Sequence, residues 1–216
     1  MIMITQQKPL DEVIQCLENC SGVYLIGCGT CATMLHTGGK SEVLEMEDKL
    51  EAAGKKITGW MVIPTACDKL TKDALRINAK EVEAASDILV MACAFGVQTV
   101  ALYTDKRVYP ALNTLCIAKE ETPGYFTEIC MQCGNCVLGQ TAGICPMTQC
   151  AKGLLNGACG GSRNGKCEEK PEHDCAWILI YERLKKLGEL DKLKEMAMPV
   201  DYTKMKRPRT HKVSPL

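Results

Sequence analysis

Eight cysteines lie close together near one end of the chain: Cys130, Cys133, Cys136, Cys145, Cys150, Cys159, Cys167 and Cys175. The run opens as C-M-Q-C-G-N-C and reaches I-C-P at Cys145. A cubane iron–sulfur cluster is held by four thiolates, and C-x2-C-x2-C is the usual sequence mark of one. Eight thiols are what two such clusters need. The glycines among them permit tight turns and bring backbone N–H groups close to sulfur. The competing chemistry is zinc, because C-x2-C pairs also build zinc knuckles. Four-cysteine zinc sites use separated C-x2-C pairs, whereas here three cysteines follow at spacings of three, and Pro146 follows Cys145 directly. The spacing therefore favours two 4Fe-4S clusters. It leaves open which four cysteines share a cluster, because in two-cluster ferredoxins the fourth ligand crosses to the other site.

A second group stands in the first half. The loop Gly27-Cys28-Gly29-Thr30-Cys31-Ala32 follows an apolar run and satisfies G-x-G-x-x-A, the dinucleotide fingerprint, with Glu45 and Glu47 near the distance of a ribose-binding acid. Two of its variable positions are cysteines, however. Cys67 and Cys93 end the next two apolar runs. In an open parallel sheet the carboxyl ends of the strands line one crevice, so Cys28, Cys31, Cys67 and Cys93 should converge there. Three readings follow: a third 4Fe-4S cluster, a zinc or redox C-x2-C thiol site, or a nucleotide site with incidental cysteines. Cys67 and Cys93 could also be small core residues, as free cysteines often are.

Weaker candidates carry less. Gly38-Gly39-Lys40-Ser41 resembles the end of a phosphate loop, but Met34 stands where its first glycine belongs. His36, His173 and His211 have no partner spacing, and ordinary polar contacts are expected of them. Cys16, Cys20 and Cys116 are expected to be packing residues.

The elements that must position these groups can be read from periodicity. Helical spacing is expected over 9–20, over 40–55 with Ser41 as N-cap, over 69–85 and from Val97. Strands are expected at 23–27, 59–67, 88–94 and 114–120. Alternating strands and helices imply a parallel sheet covered by helices, so residues 1–120 read as a small Rossmann-like or flavodoxin-like α/β domain. Residues 121–198 read as a loop-rich cysteine domain held by metal rather than carbon. It ends in a helix with Ile178, Tyr181, Leu184 and Leu187 on one stripe, and Trp177, Ile178, Ile180 and Tyr181 are expected in its core. Residues 199–216 read as a basic extended tail.

Composition narrows the class. The 216 residues include 26 basic and 26 acidic side chains, a net charge of zero, so nucleic acid is not an expected partner. No apolar run approaches the roughly 20 residues that span a bilayer. The opening M-I-M-I-T-Q-Q-K-P-L lacks a signal-peptide pattern, so a cytoplasmic chain is expected. Fifteen cysteines in such a setting read as metal-binding rather than disulfide-forming.

The stretch from Cys130 to Trp177, with its G-I-C-P, K-G-L-L-N-G-A-C-G-G and C-A-W elements and the continuation I-L-I-Y-E-R-L-K-K-L-G-E-L-D-K-L, resembles the C-terminal family associated with methylenetetrahydrofolate reductases. Within it, the chain is similar to the cysteine-rich, MetV-type partner subunit of the flavoprotein reductase MetF, found in acetogens and related anaerobes. G-C-G-T-C-A, T-G-G, C-D at 67–68 and A-C-A-F-G-V-Q-T-V-A extend the likeness through the first half. Ala158 stands where proline is common in the family.

The resemblance implies an electron-transfer role in one-carbon metabolism. Clusters on this chain would pass electrons from a donor such as ferredoxin or an electron-bifurcating complex to the FMN of the MetF-type partner. That partner reduces 5,10-methylenetetrahydrofolate to 5-methyltetrahydrofolate. The folate-binding barrel is absent here, since a barrel alone needs about 250 residues. No acid/base pair or nucleophile of its own is evident. Two rivals remain: a zinc-bound structural subunit bracing the flavoprotein, and a small dehydrogenase with a nucleotide at Gly27–Ala32.

Overall fold

The computed structural model describes residues 1–205 and 207–209. The chain divides into two compact units, Met1–Phe126 and Thr127–Leu216.

In the first unit, β2 (Val23–Cys28), β3 (Ile57–Ile63), β4 (Asp87–Met91) and β5 (Arg107–Pro110) form a parallel sheet in the order β3-β2-β4-β5. The central strands β2 and β4 are buried along their whole length, which is why they read as unbroken apolar runs. Side chains alternate across the pleat. Tyr24, Ile26 and Cys28 enter one core with Leu75, Val82 and Val100. Val23 and Leu25 enter the other with Val13, Leu17, Val43, Met46 and Leu50. Helices α1 (Leu10–Cys16) and α3 (Lys40–Ala52) therefore cover one face of the sheet. Helices α4 (Leu70–Ile77), α5 (Ala79–Ala84) and α6 (Ala94–Leu102) cover the other, and α2 (Cys31–Met34) is a single turn. The α/β class and parallel sheet expected from the alternation are present.

Several details differ from the sequence reading. Residues 2–7, assigned to no element, form β1 (Ile2–Gln7). It pairs antiparallel with β6 (Leu112–Thr122), and β6 neighbours β7 (Tyr125–Thr127). The run 114–120 thus belongs to a second, antiparallel sheet. The parallel sheet instead ends on β5, too short and too charged at Arg107 to register as a strand. The helix expected over 69–85 breaks at Asn78, whose side-chain amide donates to the Ala74 carbonyl at 2.9 Å. Helix α3 is capped by Gly39, not Ser41: the Gly39 N–H donates to Glu42 Oε2 at 2.8 Å.

The second unit has little regular structure. It contains α7 (Pro146–Gln149), α8 (Ala176–Leu187) and 3-10 turns at Leu190–Lys194 and Tyr202–Met205. Its buried apolar core is Cys175, Trp177, Ile180 and Leu184. The buried stripe of α8 is rotated from the expected one, with Tyr181 and Leu187 exposed. The reason is that the stripe starts at Trp177, whose indole N–H is tied to the Leu154 carbonyl at 2.9 Å. The segment expected to be an extended tail turns back at 202–205, where Lys204 Nζ donates to Asn135 Oδ1 at 3.1 Å. Residue 206 and residues 210–216 of that expectation, including His211, lie outside the described residues.

Candidate metal centres

The first-half cysteines meet where three adjacent strands end. Cys28 is the last residue of β2, and Cys31 opens α2 three residues on. Cys67 lies in the turn after β3, and Cys93 is the N-cap of α6 just beyond β4. The strand order β3-β2-β4 puts these ends side by side. Cys28 and Cys93 are buried, Cys31 is partly buried and Cys67 is exposed. Burial pushes the Cys67 thiol above its usual range, and the neighbouring Cys93, Cys28 and Cys31 sulfurs push it further. The other three cysteines thus lie near enough to Cys67 to act on its thiol.

The turn that closes the site has its own requirement. Cys28 donates its N–H to the Gly38 carbonyl at 3.0 Å. A Cβ on Gly38 would lie 2.0 Å from the Met91 carbonyl oxygen, so only glycine fits there. The T-G-G signal is thus a packing device. The nucleotide reading of Gly27–Ala32 loses its support, because the helix that follows is one turn long and cannot present a pyrophosphate cradle.

Four of the C-terminal cysteines also gather. Cys150, Cys159, Cys167 and Cys175 line a single narrow recess, together with Lys152, Glu168 and Trp177. The sequence places Cys167 and Cys175 on either side of a small turn, closed by Cys167 N–H to the His173 carbonyl at 3.0 Å and Cys175 N–H to the Gly165 carbonyl at 2.8 Å. The Gly161 N–H points at Cys159 Sγ at 3.4 Å. Glu168 accepts from Cys159 Sγ at 3.3 Å and pairs with Lys152. The Lys152 hydrogen bond holds the Glu168 carboxyl below the usual carboxylate range and pushes the lysine up. Sequence reasoning passed over this charged pair. Its signal was there, since Lys152 and Glu168 are interleaved with Cys150 and Cys167.

The remaining set is less closed. Cys130, Cys133 and Cys136 occupy a loop that turns through positive φ at Gln132 (55°) and Gly134 (77°). This aims the Gln132 N–H at Cys130 Sγ, 3.4 Å away. Cys145 is the N-cap of α7, with Pro146 as its first helical residue. Gln149 of α7 donates to the Glu128 carbonyl at 3.2 Å, tying the helix back to the start of the cysteine loop. Among the described residues no hydrogen bond links these four thiols to one another.

The weaker candidates are placed largely as expected, Cys16 apart. Cys16 is exposed rather than packed, Cys20 packs at the edge of a core, and Cys116 lies partly buried in β6. His36 is exposed and stands 3.7 Å from Glu42, while His173 stands 3.5 Å from Glu172.

The donors fit a thiophilic group. Sulfur is the shared element of both convergent sets, and N–H groups at two positions point at sulfur, as they do around thiolate ligands. Among the described residues no group of three or more His, Cys, Asp or Glu side chains is set to hold a single metal ion. Nor is any helix among them long and apolar enough to cross a membrane.

A small α/β unit with four cysteines near the carboxyl edge of its parallel sheet, followed by a cysteine-rich unit with little regular structure, defines a cysteine-rich α/β protein. Residues 109–203 match the family model described as methylene-tetrahydrofolate reductase C terminal, so this part of the chain is similar to that family. No curated protein and no solved structure matches the chain.

Proposed function

We propose that this chain is the iron–sulfur electron-transfer subunit of a methylenetetrahydrofolate reductase complex. The observation that carries the reading is the meeting of Cys28, Cys31, Cys67 and Cys93 at the carboxyl edge of the parallel sheet. The recess lined by Cys150, Cys159, Cys167 and Cys175 supports a second centre there. That grouping leaves Cys130, Cys133, Cys136 and Cys145 for a third, a sequential division of the eight thiols. Bound clusters supply one-electron carriage. The chain's own residues supply the sulfur ligands, the N–H groups aimed at Cys130 and Cys159, and the burial of Cys28, Cys93 and Cys175 that keeps solvent from the sulfurs. Its partner in this reading is a MetF-type FMN flavoprotein, and its donor is ferredoxin or an electron-bifurcating assembly. Folate chemistry belongs to the partner.

The test is anaerobic purification followed by iron and sulfide analysis, visible absorption, and assay with and without the flavoprotein. A brown protein that is inactive alone and active with the partner is expected. Cys67→Ala should lower bound iron by about four atoms per chain, one cubane. A colourless protein holding stoichiometric zinc sinks the reading in favour of a bracing subunit.

A further inference from the structure

Lys152 and Glu168 line the same recess as Cys150, Cys159, Cys167 and Cys175, and a four-thiolate centre needs neither as a ligand. Their placement is built. A Cβ on Gly161 would overlap the Glu168 carboxyl, so the carboxylate occupies the space that a side chain at 161 would take. From that seat Glu168 accepts from Cys159 Sγ at 3.3 Å, while the Gly161 N–H points at the same sulfur at 3.4 Å. Lys152 Nζ pairs with Glu168, and Glu169 stands 3.6 Å from the same nitrogen. The Cys159 sulfur adds to the upward push on the lysine, and Arg163 adds to the hold on Glu168. One sulfur thus has a backbone N–H, a carboxylate and an ammonium around it.

Ligation changes the balance within this group. As a thiol, Cys159 donates a hydrogen bond to Glu168. As a cluster ligand it is a thiolate with no proton to give. Sulfur and carboxylate are then two anions side by side, which is unfavourable without a cation. Lys152 is the cation that touches Glu168 and already feels the charge of the sulfur. Reduction of a cluster adds one electron, and hence one more negative charge, at the same place. A cation there stabilises the reduced form, and an anion stabilises the oxidised form.

We infer that Lys152 and Glu168 set the reduction potential of the centre held by Cys150, Cys159, Cys167 and Cys175, the lysine raising it and the carboxylate lowering it. The inference rests on the cluster reading and goes beyond it, because it gives a role to two residues that bind no iron. The side chains are 36% and 34% exposed, so water screens both charges. The effect of each is accordingly about tenfold in the ratio of oxidised to reduced centre, which is about 59 mV for one electron.

The test is a redox titration of the full, anaerobically purified chain with dithionite as reductant, followed by electron paramagnetic resonance. Lys152→Met should lower one midpoint by that amount and leave the others in place. Glu168→Gln should raise the same midpoint by a similar amount. The double variant should return close to the parent, and Lys152→Arg, which keeps the charge, should hold the parent value. Lys186→Met removes the same charge about 16 Å along α8 from Cys175 and should leave that midpoint unchanged. Iron content equal to the parent's checks that each variant keeps its centres. Glu168→Gln is nearly isosteric and decides the question alone should Lys152→Met lose iron. Midpoints unmoved in the single variants overturn the inference, as does a shift in Lys152→Met that Lys152→Arg reproduces. A parent without iron sinks the cluster reading and this inference together; iron with unmoved midpoints sinks this inference alone.

Discussion

Cys67 and Tyr24 show how desolvation acts on single side chains in the first unit. The Cys67 thiol is pushed up by desolvation and then by the neighbouring Cys93, Cys28 and Cys31 sulfurs. Tyr24 is fully buried in the core, and burial pushes its phenol up to about 12, with the Glu81 carboxylate adding to the rise. The folded state therefore keeps a proton that the unfolded chain releases near its usual value of about 10. The sign follows from linkage. The contribution is complete below about pH 10 and is lost as pH rises toward the folded value of about 12. At about pH 11 the loss is on the order of 1 kcal/mol. Tyr24→Phe, which has no phenol to ionise, should lose less stability between about pH 8 and about pH 11 than the parent by that amount. Urea unfolding of both proteins at the two pH values reads this directly, and identical alkaline losses would contradict the burial argument.

At the scale of elements, the turn between α2 and α3 decides where β2 delivers Cys28. Gly38→Ala forces a methyl group onto the Met91 carbonyl, and the Gly38 carbonyl is the acceptor for the Cys28 N–H. The expected cost is about 1–3 kcal/mol, as for other overpacked positions, and iron content should fall together with stability. Gly139→Ala, which meets open space, is the matched control. Unfolding midpoints and iron counts of the two variants check it; a Gly38→Ala protein as stable as the control removes the packing role. This turn also marks what sequence can and cannot convey. The alternation of apolar runs with helical spacing was enough to place β2, β3, β4 and their helices, and hence to put Cys28, Cys31, Cys67 and Cys93 near the carboxyl ends of adjacent strands. It could not reveal β1 or the fate of β6, because their pairing partners lie more than a hundred residues apart and half their side chains face solvent. Nor could it fix which C-terminal cysteines share a recess, since loops carry no periodicity. There the backbone hydrogen bonds of Cys167 and Cys175 close one small turn beside the recess.

The two units of the molecule depend on different forces. The first has two apolar clusters around its parallel sheet, whereas the buried apolar core of the second is Cys175, Trp177, Ile180 and Leu184. Even with Ala142, Ile144, Leu154, Ile178 and Leu190 packed against it, that core is small for a loop-rich chain, and in the proposed reading metal–thiolate bonds supply the rest. Removing metal with a chelator under reducing, anaerobic conditions should therefore unfold the second unit while the first persists. The two tryptophans report separately, because Trp60 lies in β3 and Trp177 in α8. In a Trp60→Phe background, the emission of Trp177 should shift to the red on chelation, as its indole leaves the Leu154 carbonyl for water. In the parent protein, amides of β2 and β4 should stay protected from hydrogen exchange while those of α8 lose protection. A second unit whose Trp177 emission and α8 protection survive complete metal removal would mean that carbon, not metal, holds it together.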